Sequence, residues 1–208
     1  MSYQRLAILV VFVAVTVSSA FAQKNEASVT VGRTFVSTQT IENDPTSPNP
    51  HIHFGNEESV AFNYGRLLMT RGTVGFFGEV PVAIYPRMDL NTYLNQIPKD
   101  IGALFITPSL RVNFFSGQGL SPWLSVGGGY ARFREAPKLN FFGDNPGPTG
   151  TNTGVVQFGI GFDVRLWQLW GIRMEARDFY SGLPDLNVSV RNSRQHNYYV
   201  GIGVIRRF

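Results

Sequence analysis

The stretch that decides the fold is the last strand-like segment, Tyr198 to Phe208, which reads YYVGIGVIRRF. Every second residue forms one apolar face, namely Tyr198, Val200, Ile202 and Val204. A period of two predicts a β-strand, because successive side chains of a strand point to opposite sides. An apolar strand at an open sheet edge promotes aggregation, and pairing with the first strand to close a barrel removes that edge.

The same stretch resembles the terminal strand of small outer-membrane β-barrels of the OmpA-like family, whose members finish on an aromatic residue such as Phe208. The run from Arg173 to Gly182 (RMEARDFYSG) is similar to the seventh strand of single-domain members. The resemblance implies an outer-membrane location. OmpA itself adds a peptidoglycan-binding domain after its barrel, whereas this sequence ends at the barrel, so we do not expect that tethering role. The resemblance also implies that the barrel-assembly machinery recognises the last strand through Tyr198, Val200, Ile202, Val204 and Phe208.

The first segment has the features of a secretory signal peptide. Arg5 precedes an apolar run, Leu6 to Val17, and the following Ser18 to Ala22 (SSAFA) ends in an A-x-A pattern. The apolar run is short for a membrane-spanning helix. We therefore predict cleavage after Ala22, export through the periplasm, and a single mature barrel domain over residues 23–208.

Composition excludes several other classes of protein. Charged residues make up 15% of the chain, against about 25% in ordinary globular domains. The net charge of +4 is small and dispersed, which argues against a nucleic-acid partner. The chain has no cysteine, so we expect neither a lipoprotein nor a disulfide scaffold.

Eight strand-like segments follow the signal peptide, near residues 27–36, 58–70, 74–85, 101–115, 122–134, 154–167, 170–180 and 196–208. Long polar connections alternate with short ones: the long ones are Ser37–Glu57, Pro86–Asp100, Glu135–Thr153 and Ser181–Gln195, and the short ones Arg71–Thr73, Ser116–Ser121 and Gln168–Leu169. Outer-membrane barrels have short periplasmic turns and long external loops. The pattern therefore predicts an all-β fold, an eight-stranded antiparallel up-and-down transmembrane β-barrel.

Charged side chains fall on the polar face of several segments. In the sixth segment, Phe158, Ile160 and Phe162 alternate with small or polar residues. Seven charged residues on such faces would point into the lumen: Glu79, Arg111, Asp163, Arg165, Arg173, Glu175 and Arg177. The interior of an eight-stranded barrel is just wide enough for side chains to fill, and buried charges must pair.

We interpret the inward charges as a salt-bridged plug that fixes strand register. The alternative is that the same groups line a narrow path for ions or small solutes, since a wide pore needs about sixteen strands. If the charges form a plug, replacing Glu175 with Gln should leave an arginine unpaired and destabilise the barrel.

Two features interrupt the strand pattern. Arg33 and Arg66 fall on the apolar side of the first two segments, which predicts a bulge or a rim position at each. Pro81 and Pro108 each remove a backbone donor from within a strand. Six aromatic residues near the predicted strand ends indicate a girdle at each membrane interface: Trp123, Tyr130, Trp167, Trp170, Tyr198 and Phe208.

Enzymatic activity has little support. Some eight-stranded outer-membrane barrels modify lipid A, and hydrolysis requires a nucleophile beside a base. The deacylase family pairs its His with a Ser two residues further on, whereas His51 is followed there by His53, and His196 by Tyr198. We therefore predict no catalytic residue. His51 and His53 lie in a polar loop without further ligands at metal-binding spacing, so we assign no metal and no cofactor.

Basic residues flank the long connections after the fifth segment and before the eighth: Arg132, Arg134, Lys138, Arg191 and Arg194. Arginine and lysine bind phosphate well. These residues are therefore candidate contacts for lipopolysaccharide phosphates, and the open alternative is that they only solvate the loops.

The sequence as a whole predicts an integral outer-membrane β-barrel with a structural or surface-interaction role. Its expected partners are outer-membrane lipids and lipopolysaccharide, the assembly machinery during biogenesis, and an extracellular ligand of unknown identity. A narrow porin-like channel for ions or small solutes is the alternative function. A lipid A-modifying enzyme is a more distant one.

Overall fold

The computed structural model describes residues 24–42 and 50–208 of the chain. The predicted signal peptide lies outside the described residues, as does part of the first long connection, residues 43–49. Within the described ranges, no helix is long and apolar enough to cross a membrane.

The described residues form eleven β-strands: β1 (Asn25–Val36), β2 (Gln39–Thr40), β3 (His51–Phe54), β4 (Glu57–Arg71), β5 (Val74–Asn91), β6 (Asp100–Ile106), β7 (Ser109–Asn113), β8 (Leu120–Glu135), β9 (Thr151–Arg165), β10 (Trp170–Gly182) and β11 (Arg194–Arg207).

The long strands close into one antiparallel ring. Neighbours along the chain pair in sequence, and β11 pairs with β1 from Glu26↔Arg207 to Val36↔Asn197. Because β6 and β7 lie end to end between β5 and β8, they count as one strand of the barrel. The predicted fold class, an all-β, eight-stranded antiparallel barrel, is confirmed.

The register shows that the strands of the barrel are tilted. Paired residues followed once around the ring from Pro122 of β8 return to β8 at Arg132, ten residues further along. An offset of this size requires tilted strands, and eight tilted strands enclose a space that side chains can fill. The strand number of eight thus explains why this lumen holds side chains.

Short and long connections alternate as predicted, with one difference. The turns at one end, which the sequence predicts to be periplasmic, cover residues 72–73, 114–119 and 166–169, whereas the other end carries 37–56, 92–99, 136–150 and 183–193. The second long connection is shorter than expected, because β5 continues past Pro86 to Asn91. The register shifts between Tyr85 and Met88, and a bulge of this kind accommodates a proline within a strand.

Pro81 and Pro108 are accommodated at a single break in the ladder. The pairing of β5 with β6 ends at Val82, and its pairing with β7 begins at Glu79, so Pro81 lies opposite the break. The carbonyl of Pro81 accepts a hydrogen bond from Thr107 N at 3.1 Å. Pro108 lies in the break between β6 and β7, and its carbonyl accepts a hydrogen bond from Gly128 N of β8 at 3.2 Å. The two prolines therefore disturb neighbouring ladders at one level of the sheet.

Arg33 and Arg66 both point outward. β1 pairs with β4 and β11 without a register shift, so the bulge predicted at Arg33 is absent; its side chain is exposed and lies opposite Glu58. Arg66 is exposed at the periplasmic end, opposite Asn25, as a rim position requires.

The seam between β1 and β11 depends on Gly32. A Cβ built at Gly32 would collide with the backbone of Val200 and Gly201, which cannot move without opening the seam. We expect Gly32→Ala to lower the free energy of unfolding by about 1–3 kcal/mol. Unfolding in urea, followed by heat-modifiable gel migration, measures this. Gly154→Ala is the matched control, because a Cβ there meets nothing within 4 Å; equal losses would contradict the close approach.

Candidate functional site: the filled lumen and the charged rims

The lumen has two halves of different chemistry. The periplasmic half contains buried charged and polar side chains, including Glu26, Arg111, Asp163, Arg173 and Arg177. The outer half is an apolar core in which strand and loop residues pack together: Ile52, Tyr85, Met88, Ile97, Ile101, Phe105, Phe133, Phe179 and Leu186 are examples. The charged half agrees with the prediction, whereas the apolar half was not predicted.

Buried acids and arginines alternate in a continuous chain of contacts. In order, the chain is Glu175, Arg177, Glu79, Arg111, Glu26, Arg173, Asp163 and Arg207. Four carboxylates therefore face four guanidinium groups, so the chain is balanced in charge. This balance is what burial demands, because an unpaired charge in a lumen loses its hydration without compensation.

Arg173 is the most heavily engaged member. Its Nε and Nη2 donate to the two carboxylate oxygens of Asp163 at 2.8 and 2.9 Å, in the bidentate geometry that suits a guanidinium. Nη2 also donates to Glu26 Oε1 at 2.8 Å, and Nη1 to Ser28 Oγ at 3.2 Å. Arg173 therefore joins β1, β9 and β10 below the middle of the barrel.

Arg177 links two more carboxylates. Its Nε donates to Glu175 Oε2 at 2.9 Å and its Nη1 to Glu79 Oε1 at 3.0 Å. Glu175 also accepts bonds from Thr30 Oγ1 at 2.6 Å and from Asn63 Nδ2 at 3.2 Å. Because these partners come from β1, β4, β5 and β10, the network ties opposite walls of the barrel together.

Trp123 corrects the predicted aromatic girdle. Its indole is fully buried in the lumen, and the Cζ atoms of Arg111, Arg173 and Arg177 lie 5.1–5.5 Å from its ring. Ser121 and Ser125 share its side of β8 and are also buried, so strand parity points Trp123 inward. The face of the indole ring attracts the charge of these three arginines.

The other girdle candidates are placed differently. Tyr130, Trp167, Trp170 and Tyr198 are exposed on the outside of the barrel, and Trp167 is 69% exposed. Phe208 is partly buried and exchanges backbone hydrogen bonds with Asn25 at 2.8 and 2.9 Å.

Six of the seven predicted lumen charges are at most 3% exposed: Glu79, Arg111, Asp163, Arg173, Glu175 and Arg177. Arg165 has the same inward parity but lies half-buried at the periplasmic rim, outside the ion pairs of the described residues. Sequence reasoning missed Glu26 and Arg207, which pair across the seam in the first and last strands. Glu26 lies two residues before Ser28, and Arg207 lies two residues after Ile205. Because Ser28 and Ile205 point inward, strand alternation could have predicted that Glu26 and Arg207 do so too.

The assembly-signal residues form one lipid-facing row. Tyr198, Val200, Ile202 and Val204 are each 44–53% exposed, along the outer face of β11. The role proposed for this row in assembly stays a prediction.

The five rim residues are exposed, but the structure separates them into two groups. Arg132, Arg134 and Lys138 lie on β8 and the connection after it, whereas Arg191 and Arg194 lie beside β10 and the first connection. A cavity of about 340 Å³ beside the first group is lined by Arg134, Lys138, Lys99 and Arg87, among others. The sequence did not show that Lys99 and Arg87 join this group.

His196 has a carboxylate partner that the sequence did not indicate. Its Nδ1 lies 2.7 Å from Asp178 Oδ2, and its ring stacks on Tyr198 with 5.4 Å between centroids. A hydrolytic triad would add a nucleophile on the other ring nitrogen; the hydrogen bonds described for His196 join it to Asp178 and to backbone or hydroxyl groups near Ser37. Among the described residues, no three His, Asp or Glu side chains are grouped to hold a metal ion.

No protein-family model and no curated protein sequence matches this chain. Its structure is similar to solved outer-membrane proteins. OprG from Pseudomonas aeruginosa covers 89% of this chain and 97% of its own length, with a TM-score of 0.54 and 13% identity. AlkL, solved in lipid bilayers, covers 92% and 94%, with a TM-score of 0.51 and 14% identity.

The N-terminal barrel domain of OprF from Pseudomonas aeruginosa gives a similar result. It covers 89% of this chain and 98% of its own, with a TM-score of 0.50 and 12% identity. At these identities the likeness concerns the fold, and the predicted outer-membrane location agrees with it. The chain therefore has the fold of the small outer-membrane β-barrel proteins.

Proposed function

We propose that this protein is an OmpA-like integral outer-membrane barrel that acts as a structural and surface-interaction protein, without enzymatic activity. The observation that carries the proposal is the filled lumen. A balanced chain of ion pairs occupies its periplasmic half, and aromatic side chains pack its outer half. A barrel filled in this way presents its outer loops on a rigid support.

The lumen distinguishes this function from that of a channel. We expect the purified protein to show no steady conductance in a planar bilayer, because fixed ion pairs and packed rings leave no continuous aqueous path. Heat-modifiable migration of the same sample on a gel verifies that the barrel is closed. A large, steady conductance from closed barrels would instead favour the narrow channel.

The non-enzymatic assignment has its own test. Lipid A incubated with the protein should keep its mass, as measured by mass spectrometry. If the wild-type protein removed or added an acyl chain and His196→Gln did not, the activity would be assigned to the pair of His196 and Asp178.

The outer rim contains the proposed contacts with lipopolysaccharide. Arg132 and Arg134 project from β8 where that strand leaves the barrel wall, and both are exposed. Neither has a carboxylate partner among the ion pairs of the described residues, whereas Lys138 pairs with Asp144 and Arg87 with Asp100. Exposed guanidinium groups at this height suit the phosphates of lipopolysaccharide, since each can donate two parallel hydrogen bonds to a phosphate.

Removing the two arginines should weaken this contact. We expect Arg132→Gln/Arg134→Gln to lower the Tm by roughly 3–6 °C more in lipopolysaccharide than in plain detergent. Arg132→Lys/Arg134→Lys is the control, because it keeps both charges at the same positions and should show a smaller difference between the two media. Equal losses for the outer variant in the two media would show that these arginines only solvate the loops.

A further inference from the structure

Basic side chains form an arc around the periplasmic end of the barrel. Five of them lie at the ends of β1, β4, β9 and β11: Lys24, Arg66, Arg71, Arg165 and Arg206. Arg207 lies at the same end but is paired with Asp163 in the lumen and is not part of the arc. Since β10 lies between β9 and β11, this basic arc covers five neighbouring strands. The turn at the same end of the other strands, residues 114–119, reads FFSGQG and is uncharged.

The arc is not neutralised by exposed acids. Among the described residues, the side-chain carboxylates at this end are Glu26 and Asp163, which are 2% and 1% exposed and bonded to lumen arginines. The other described acids lie either deeper in the lumen, as Glu79 and Glu175 do, or toward the outer end. The surface at the periplasmic end therefore has a positive potential along the arc.

Tryptophans place the arc at the membrane interface. Trp167, in the turn between β9 and β10, and Trp170, the first residue of β10, are 69% and 38% exposed, and indole rings favour the level of the lipid headgroups. Arg206 lies against this girdle, with its Cζ 5.5 Å from the Trp170 ring. On the next strands, Arg66 lies opposite Asn25, and the preceding residue, Lys24, accepts a hydrogen bond at its carbonyl from Leu67 N at 2.6 Å.

We propose that the basic arc binds the headgroups of anionic phospholipids, of which phosphatidylglycerol is the model, in the periplasmic leaflet. A phosphodiester at headgroup depth would meet several basic side chains of the arc, and each basic side chain near an anionic surface adds attraction. A zwitterionic lipid carries a cationic group in its own headgroup, so the basic arc attracts it less strongly. The arc lies at the opposite end from the lipopolysaccharide contacts, so each of the two assignments is tested independently of the other.

The tryptophans also provide the measurement. The chain has three, of which two lie at the arc, while Trp123 is buried in the lumen. Fluorescence quenching by brominated phosphatidylglycerol and by brominated phosphatidylcholine in vesicles gives the relative binding constant of the two lipids. We expect wild-type protein to prefer phosphatidylglycerol about fivefold. Lys24→Gln/Arg66→Gln/Arg71→Gln should bring the ratio close to one.

The control is Arg132→Gln/Arg134→Gln/Lys138→Gln, which removes the same charge from the outer rim and should keep the preference. Salt at 0.5 M should reduce the preference of the wild-type protein, so the test does not depend on the variant alone. Equal quenching by the two lipids in the wild type, or a loss confined to the outer variant, would overturn the proposal. So would binding of soluble peptidoglycan fragments that is lost in the arc variant, if no lipid preference accompanies it.

Discussion

Arg173→Gln should lower the free energy of unfolding by about 3–5 kcal/mol. The substitution leaves Asp163 without its bidentate partner and Glu26 with Arg111 and Arg207 alone. Both carboxylates remain in a lumen where they are at most 2% exposed, so their lost hydration is not restored. Reversible unfolding in urea from lipid vesicles, followed by tryptophan fluorescence, measures the change, because Trp123 lies 5.5 Å from the Arg173 guanidinium.

Arg165→Gln is the matched control. Arg165 follows Asp163 by two residues on β9, has the same inward parity, and lies half-buried at the rim. Water reaches this position, so we expect a loss below about 1 kcal/mol. A loss for Arg173→Gln no larger than that for Arg165→Gln would show that the buried network adds nothing to stability.

Glu175→Gln should lower the free energy of unfolding by an amount between the losses for Arg165→Gln and Arg173→Gln. The sequence predicted an unpaired arginine after this change, but Arg177 keeps its bond to Glu79 at 3.0 Å. A glutamine can also still accept the hydrogen bond from Thr30. We therefore expect a smaller loss than for Arg173→Gln, because the arginine retains one of its two carboxylate partners.

The network has a further consequence for strand register. Replacing buried ion pairs with apolar side chains is often neutral for stability. We therefore expect the main contribution of these ion pairs to be the selection of one strand register. Arg111 of β7 reaches Glu26 of β1 across the lumen, and Glu26 also contacts Arg207 of the last strand. A shift of β1 by one residue would turn Glu26 outward. The charges therefore select the one register in which the first and last strands close correctly.

The sequence predicted the features that follow from a period of two. Strand number, the alternation of short and long connections, and the inward side of β7, β9 and β10 all follow from which residues share a face. These determined the positions of Arg111, Asp163 and Arg173 before any contact was known. Partners could not be assigned in the same way, because pairing across the lumen depends on shear, and shear is a property of the closed ring.

Three features escaped prediction for identifiable reasons. Proximity to a strand end predicts Trp123 in the girdle, whereas the parity that it shares with Ser121 and Ser125 points it into the lumen. Glu26 was missed because Arg33 on the opposite face made β1 ambiguous. The apolar outer half was not predicted, because a strand that is apolar on both sides shows no alternation that distinguishes its inward face. The run IGALFI, from Ile101 to Ile106, is such a strand.

Phe105→Ala should lower the free energy of unfolding by about 3–5 kcal/mol, because it leaves a cavity in the outer half of the lumen. Phe105 is 1% exposed. Its ring stacks on Phe179 with 4.7 Å between centroids, meets Phe133 edge-on at 5.9 Å, and lies 6.0 Å from Tyr85. These rings come from β5, β6, β8 and β10, so they cannot all move into the space that the phenyl group vacates.

Ile106→Ala separates this core from the lipid-facing wall. Ile106 is the next residue on β6, but it points outward and is 36% exposed. Acyl chains can fill the space left by its side chain, because they are as apolar as the side chain itself. We expect its loss to remain below about 1.5 kcal/mol under the same urea conditions. If both variants lost the same free energy, the aromatic residues of the outer half would not form a packed core, and the loops above them would lack the rigid support that surface binding requires.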